Sequence, residues 1–294
     1  MLSEIEAKVA AGEPFTLTEA AGVMASSDLV RIGVLADAAR RDRTGDRGTF
    51  CRVTVVDGGG PADAGDAGEI RIVAEVASID DALARVRATV AWAGGTPVTA
   101  FTLGQLQDLC GHDNSRLEQL ARDLLAAGLS AVAEVPVDAA TSDQALIDAV
   151  QAVTRAGLGA WRATIGQADV DDRMALLERA RVVAAATGAF RALAPLPRID
   201  RVDTPSTGYD DVKTVAVARL LCRDIEYIQV DWPLYGPKLA QVALTFGAND
   251  IDGVASTDTL GLGPRRSPLE DIRRQIQAAG STPVERDGRY APRN

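Results

Sequence analysis

The chain has 294 residues, 47% hydrophobic and 24% charged, with a formal net charge of −10. This is ordinary composition for a soluble globular protein, at a length that one α/β barrel fills as a single domain. The acidic balance, with no block of Lys and Arg, argues against a nucleic-acid partner. No apolar run approaches the ~20 residues needed to cross a bilayer. The acidic start, Met1-Leu2-Ser3-Glu4, lacks the basic and apolar stretches of a secretory leader. A cytoplasmic protein with no membrane partner is expected.

In chain order, an N-terminal helical segment comes first. Thr16 and Glu19 box its start, and it runs to about Arg41. Residues 1–48 are expected to pack on the bottom or side of a barrel formed by residues 49–294, the whole making one domain. Short β-branched runs then alternate with amphipathic helices. The runs fall at 50–56, 70–76, 98–102, 130–135, 160–165, 190–194, 227–232 and 251–256. Eight strands at the spacing of βα units predict a closed parallel (β/α)₈ TIM-type barrel.

The helices between them carry their own start and stop residues. Gly128 closes one bearing Leu117, Leu120 and Leu124; Thr141 and Gln144 open another that Gly157 closes. Pro237 opens and Gly247 closes the helix holding Leu239, Val242 and Phe246. Ser267-Pro268-Leu269-Glu270 reads as a capping box before Ile272 and Ile276, with Gly280 as the stop.

One connection departs from the pattern. Between the first two strands lies Asp57-Gly58-Gly59-Gly60-Pro61-Ala62-Asp63-Ala64-Gly65-Asp66-Ala67-Gly68, which has no apolar periodicity. A parallel crossover normally needs a dozen or more residues and a helix. Either the two strands form an antiparallel hairpin or the crossover is a bare loop, and the barrel is irregular there.

Three stretches late in the chain carry a family resemblance. Residues 205–219 (Pro-Ser-Thr-Gly-Tyr-Asp-Asp-Val-Lys-Thr-Val-Ala-Val-Ala-Arg) form the first, and Gly236-Pro237-Lys238 through Asn249-Asp250-Ile251-Asp252-Gly253 the second. Pro283-Val284-Glu285-Arg286-Asp287 is the third. In this order they resemble aminofutalosine synthase and dehypoxanthinyl futalosine cyclase, the radical S-adenosylmethionine (SAM) enzymes of menaquinone biosynthesis. The resemblance implies a barrel of the radical SAM kind. It also implies a first βα loop with Cys-x-x-x-Cys-x-x-Cys, holding a four-iron, four-sulfur cluster that cleaves S-adenosylmethionine. Three thiolates are needed so that one iron stays open to that cofactor.

Here the loop holds no cysteine. Cys51 falls near the beginning of the first strand, and Cys110 and Cys222 fall in helical segments. All three read as buried small hydrophobes, and the single histidine, His112, cannot replace the missing ligands. No cofactor and no metal are predicted.

In barrels the ligand site lies at the C-terminal ends of the strands. The predicted ligand contacts are Glu75, Glu134, Thr164, Arg198, Asp231, Trp232 and Ser256, with Thr102, Gln167, Thr257 and Asp258 nearby. Asp231-Trp232 offers an acceptor beside a stacking face, suited to a nucleoside or aromatic ring. Arg198 suits a carboxylate; Glu75 and Glu134 read either as ligand contacts or as rim charges. Asp210, Lys213 and Lys238 match family positions and also suit helix structure. No dinucleotide fingerprint, Walker loop, metalloprotease helix or serine elbow is present.

The expected function is that of a cluster-free relative acting in or alongside menaquinone biosynthesis. It would bind a small, nucleoside-like ligand or partner a cluster-bearing homologue. The alternatives are a non-radical lyase or hydrolase using carboxylates at the barrel mouth, and a small-molecule-binding barrel of an unrelated pathway.

Overall fold

The computed structural model describes residues 2–60, 63–166, 169, 171–198, 206–257 and 269–293. Three helices lead the chain: α1 (Leu2–Ala11), α2 (Leu17–Ala25) and α3 (Leu29–Thr44). The Thr16–Glu19 box forms as expected, Glu19 N donating to Thr16 Oγ1 at 3.2 Å and Thr16 N to Glu19 Oε2 at 2.9 Å. The three helices lie along the side of the barrel.

The barrel strands are β1 (Arg47–Val56), β2 (Glu69–Ile72), β3 (Val98–Thr102), β4 (Ala131–Pro136), β5 (Arg162–Ile165), β6 (Ala192–Pro195), β7 (Tyr227–Asp231) and β8 (Asp250–Ala255). Every neighbouring pair is parallel, and β8 returns to β1, so the sheet closes. Each predicted strand is present; β3 matches at both ends, and no strand end is displaced by more than four residues. Helices α4 (Ile79–Val90), α5 (Leu103–Leu109), α6 (Asn114–Ala126), α7 (Asp143–Arg155), α8 (Arg173–Thr187), α9 (Gly208–Leu221), α10 (Trp232–Leu244) and α11 (Leu269–Ala278) surround it. The leading segment packs on α8 and α9, α2 and α3 touching α9 and α2 also touching α8.

The connection left open by the sequence is a bare parallel crossover. β1 and β2 pair in parallel from Val53↔Glu69 to Val56↔Ile72. Residues 61–62 lie outside the described residues, and the described residues of 57–68 carry no helix. The loop is tied down locally instead. Gly59 N donates to Asp57 Oδ1 and Gly65 N to Asp63 Oδ1, both at 2.8 Å, and Thr54 Oγ1 donates to Ala64 O at 3.0 Å.

A ninth strand, β9 (Thr282–Glu285), was not anticipated; it pairs in parallel with the first residues of β1, Arg47↔Thr282 to Phe50↔Glu285. Thr49 and Phe50 pair with β8 and β9 alike, so these strands flank β1 on opposite edges. β2 takes over the β9 edge only from Val53 upward. β9 therefore wedges into the base of the barrel, where β1 and β2 would otherwise part. The chain following it crosses that base, Gly288 N donating to Gly68 O at 2.9 Å.

Other helix starts differ from the sequence reading. α7 is capped by Ser142 rather than Thr141, the Ser142 hydroxyl accepting from Ala145 N. α10 begins at Trp232 and kinks at Gly236 (φ 69°, ψ 165°), and Pro237 opens its second part. The expected box at Ser267-Pro268 lies outside the described residues, while Ile272 and Ile276 of α11 are buried as its pattern implied.

Alternation along the strands separates two cores. Ile70, Ile72, Val98, Ala100, Val132, Ala163, Leu193, Ile228, Val230 and Ile251 are buried on the outer face, beneath the helices. The inner face carries Glu69, Arg71, Thr99, Arg162, Gln229, Asp250 and Asp252, each less than 10% exposed.

The closeness of loop and base gives a test. A Cβ on Gly68 would stand 2.6 Å from the backbone oxygen of Arg286 and 3.3 Å from Cys51 Sγ. Backbone cannot swing aside, so Gly68→Ala is expected to cost about 1–3 kcal/mol, as overpacking does. Urea unfolding measures it.

Candidate functional site

Two carboxylates on β8, Asp250 and Asp252, organise the barrel interior. Both are fully buried, a placement that is costly unless each charge is matched. Three arginines from distant parts of the chain supply the match. At the base, Arg286 grips Asp250 with two parallel bonds, Nε to Oδ1 and Nη2 to Oδ2, each 2.7 Å. Its guanidinium lies 4.1 Å from the Tyr290 ring centroid, a cation–π stack. Thr49 Oγ1 donates to Asp250 Oδ1 at 2.5 Å, and Gln229 Nε2 to Oδ2 at 2.7 Å.

One pleat higher, Arg71 faces Asp252, with Nη2 donating to Oδ1 at 3.1 Å and Nη1 2.9 Å from Oδ2. The second contact is an ion pair without hydrogen-bond geometry, since Oδ2 accepts no hydrogen bond. Arg71 Nε donates to Glu69 Oε1 at 2.8 Å, which Thr99 Oγ1 also reaches at 2.6 Å. Across the barrel, Arg162 Nε donates to Gln229 Oε1 at 2.6 Å and Nη1 to Glu134 Oε2 at 3.3 Å. Arg162 Nη2 stands 3.6 Å from both Asp231 and Asp252.

These pairings set the protonation states. Burial pushes the Asp252 carboxyl up, but the guanidiniums of Arg71, Arg162 and Arg286 outweigh it and hold it well below the usual carboxylate range. Burial would likewise discharge Arg71 and Arg286, yet their acidic partners raise both further. Asp231 goes the other way. Burial pushes it up, and Asp252 adds to that against the pull of Arg162 and the Leu234 N–H that Asp231 caps.

Above this floor the barrel mouth opens into a cavity of about 490 Å³ toward the C-terminal ends of β2, β3 and β4, with Arg162 reaching it from the start of β5. Arg71 and Arg162 form its floor; Ile72, Val73, Ala74, Phe101 and Ala133 give it an apolar wall, and Glu75, Thr102, Gln105 and Glu134 a polar rim. Phe101 holds φ 58°, a left-handed conformation costly for a non-glycine residue and concentrated at functional sites. The β3–β4 register omits it, passing from Ala100↔Val132 to Thr102↔Glu134.

Of the predicted contacts, Glu75 and Glu134 line this cavity. Thr164 is buried on β5 two residues above Arg162, outside the lining. Asp231 caps α10 and flanks Arg162. Trp232 does not offer the expected stacking face, because the first turn of α10 is packed into the core and the indole is 0% exposed. Arg198 is buried against Asp169 and bonds Ser206 through its backbone, so its charge is matched within the protein. Ser256 hydrogen-bonds Thr54 at 2.6 Å in a separate hollow with Arg52, Gly65 and Asp66. Gln167 and Asp258 lie outside the described residues. Asp210 and Lys213 serve structure, the first boxing α9 with Thr207 and the second bonding Met24 O at 3.2 Å.

Arg71, Arg162 and Asp252 were missed as site residues. Their signal was a charge set among outward-facing apolar residues, in Ile70-Arg71-Ile72 and Asp250-Ile251-Asp252, where period-2 alternation aims the charge inward.

The residues do not suit a three-thiolate cluster. Cys51 is buried mid-strand in β1, its thiol 3.7 Å from Arg52 O and raised by burial. Cys110 ends α5 and Cys222 ends α9, on opposite sides of the barrel; burial pushes Cys222 up to about 12. Among the described residues no cluster of His, Cys, Asp or Glu is arranged to hold a metal ion, and no helix is long and apolar enough to cross a membrane.

The architecture is a closed eight-stranded α/β barrel of the radical SAM kind. Methylornithine synthase superposes over 95% of this chain and 97% of its own, with a TM-score of 0.68 at 12% identity. The FeFe-hydrogenase maturase HydG from Carboxydothermus hydrogenoformans covers 96% of this chain and 79% of its own, with a TM-score of 0.66 at 12% identity.

Residues 179–294 match the CofH/MqnC C-terminal region. A 5-amino-6-(D-ribitylamino)uracil–L-tyrosine 4-hydroxyphenyl transferase of Methanosarcina mazei is 34% identical over 170 residues, 51% of this chain and 44% of the relative. Aminodeoxyfutalosine synthase of Streptomyces coelicolor is 38% identical over 92 residues, 29% of this chain and 24% of the relative. The chain thus spans less than half the length of these curated relatives. Its C-terminal region is similar to the CofH/MqnC C-terminal region, and parts of the chain to parts of these two enzymes.

Two variants of opposite sign test the electrostatics. Asp252 sits below its unfolded value, so its contribution is present above the ordinary carboxylate range and is lost as pH falls. Asp252→Asn should cost about 3–5 kcal/mol at neutral pH, with the gap to wild type narrowing below about pH 4. Asp231 is raised, so its ionisation weakens the fold as pH rises through its folded value. Asp231→Asn keeps the cap and should gain on wild type with rising pH. Urea unfolding between pH 3 and pH 8, two bounds spanning about the carboxylate range, reads both.

Proposed function

We propose that this chain is a cluster-free relative of the futalosine-pathway radical SAM enzymes, holding a small nucleoside-like ligand in its barrel mouth. It acts in or alongside cytoplasmic menaquinone biosynthesis, as a ligand-binding protein or as the partner of a cluster-bearing homologue. The observation that carries this reading is the pairing of a cavity of about 490 Å³, apolar in its wall and polar at its rim and floor, with a first βα loop that lacks thiols. The volume lies in the range of small-molecule sites, roughly 300–1,000 Å³.

The cavity's chemistry supports a ligand with a ring and a hydroxylated arm. Val73, Phe101 and Ala133 give a ring an apolar wall, and the Glu75 and Glu134 carboxylates accept hydrogen bonds from hydroxyl or amino groups. Each guanidinium carries five N–H donors, and the acids below Arg71 and Arg162 leave some for ligand oxygen. The relatives' names point the same way, since a ribitylaminouracil and an aminodeoxyfutalosine both join a ring to a polyol or sugar.

A second reading is non-radical acid–base chemistry, favoured by Asp231. Its carboxyl is raised by burial beside Arg162, the kind of perturbed group that enzymes use as an acid. Under this reading, Asp231→Asn would abolish turnover of a futalosine-type nucleoside while leaving its binding intact.

Calorimetric titration with adenosine, and separately with 5-amino-6-(D-ribitylamino)uracil, tests the mouth. Glu134→Gln is expected to weaken whichever binds by about tenfold, the worth of one charge-assisted hydrogen bond. Binding of neither compound, or binding indifferent to Glu134, would sink the assignment. Anaerobic purification and reconstitution should give no stoichiometric iron or acid-labile sulfide; a full four-iron complement would overturn the cluster-free reading.

A further inference from the structure

The third resemblance stretch, residues 283–287, takes no part in the mouth, yet it places the fully buried Arg286 at the barrel base. From there a continuous line of hydrogen bonds runs to the cavity. Arg286 Nη2 donates to Asp250 Oδ2 at 2.7 Å, and Gln229 Nε2 donates to the same oxygen at 2.7 Å. Gln229 Oε1 accepts from Arg162 Nε at 2.6 Å, and Arg162 Nη1 donates to the cavity-lining Glu134 at 3.3 Å.

The polarity of this line is fixed. Gln229 must turn its NH₂ to the carboxylate below and its oxygen to the guanidinium above, since the flipped amide would set donor against donor. A branch reaches the other cavity-floor arginine, with Arg286 3.7 Å from Asp252 and Asp252 2.9 Å from Arg71.

We propose that Arg286 is a positioning residue for the mouth site, holding Arg162 and Arg71 at the cavity floor through Asp250, Gln229 and Asp252. The inference rests on the reading of the mouth as a ligand site. Its physical basis is charge accounting. Asp250 and Asp252 lie two residues apart on one face of β8, both fully buried. Arg286 satisfies both oxygens of Asp250, which leaves Arg71 and Arg162 free to engage Asp252 and the rim. Without Arg286, Asp250 is a buried unmatched charge, and the long floor arginines are the cations within reach to answer it. Drawn downward, Arg162 would release Glu134 and the floor would sink.

The segment carrying Arg286 is built into the barrel independently. Arg286 N donates to Phe50 O at 2.9 Å, Arg289 Nη2 to Ser130 Oγ at 3.1 Å, and Arg191 Nη1 to Arg289 O at 2.8 Å. Tyr290, at φ 63°, packs on Tyr227 with ring centroids 5.1 Å apart. These contacts anchor the segment, and the Arg286 charge is then the part addressed to the mouth.

The test needs no ligand. In ¹⁵N-labelled full chain, the Nε–Hε resonances of Arg162 and Arg71 are assigned with Arg162→Lys and Arg71→Lys, and their solvent exchange is measured. Arg286→Gln is expected to speed exchange of the Arg162 Nε–Hε about tenfold or more, the equivalent of one lost hydrogen bond of about 1.4 kcal/mol. The double variant Asp250→Asn with Arg286→Gln removes both charges together and should restore slow exchange. If Arg286→Gln does not fold, Arg286→Lys, which keeps the charge but not the fork, is compared with the double variant in its place.

Exchange unchanged by the single variant, or equally fast in single and double, would overturn the proposal and reduce Arg286 to packing. A mouth that binds neither nucleoside probe would instead remove the ligand reading, leaving the measured coupling in place.

Discussion

The structure depends on neutralising two carboxylates sealed inside the barrel. Asp250 and Asp252 share one strand, and neither has water to stabilise it. Charges so placed cost several kcal/mol each unless paired with good geometry. The pairing comes from β2, β5 and the segment following β9, three parts of the chain far apart in sequence. Closure of the barrel is what brings them together.

That constraint explains features that seem unrelated. The ninth strand leads directly into Arg286 beneath β8, and it occupies the edge of β1 that β2 leaves open at the base. Asn249, next to Asp250, ties β8 to α9 and β7: its Oδ1 accepts from Arg219 at 2.5 Å and from Ile228 N at 2.9 Å. The stretch Asn249-Asp250-Ile251-Asp252 therefore reads as barrel architecture, with one residue bonding the outer layer, one the base and one the floor of the mouth.

The barrel fold is shared with methylornithine synthase, and residues 179–294 match the CofH/MqnC C-terminal region. In the first βα loop, hydrogen bonds from glycine N–H groups to aspartates hold the chain where the family resemblance calls for thiolates. Phe101, in the cavity lining, holds a left-handed backbone angle that is costly for a non-glycine residue.

Much of the fold was legible in the sequence because it rests on local rules. Period-2 apolar runs, helical faces and caps such as Thr16 and Glu19 depend on residues within a turn or a pleat of one another, so strand order and the barrel followed from them. Glu75 and Glu134 were legible as mouth candidates because both fall late in apolar runs, on the side where a barrel presents its site. Trp232 was misjudged because its neighbour Asp231 starts a helix, and the first turn of that helix buries the indole. Arg71 and Arg162 were not singled out, since their meaning lies in partners 181 and 67 residues away. By itself, then, the sequence determined the succession of elements, the C-terminal resemblance and the absence of thiols from the first βα loop. The tertiary structure alone decided which charges meet inside the barrel, because pairing across a closed sheet depends on register and closure, which no local pattern records.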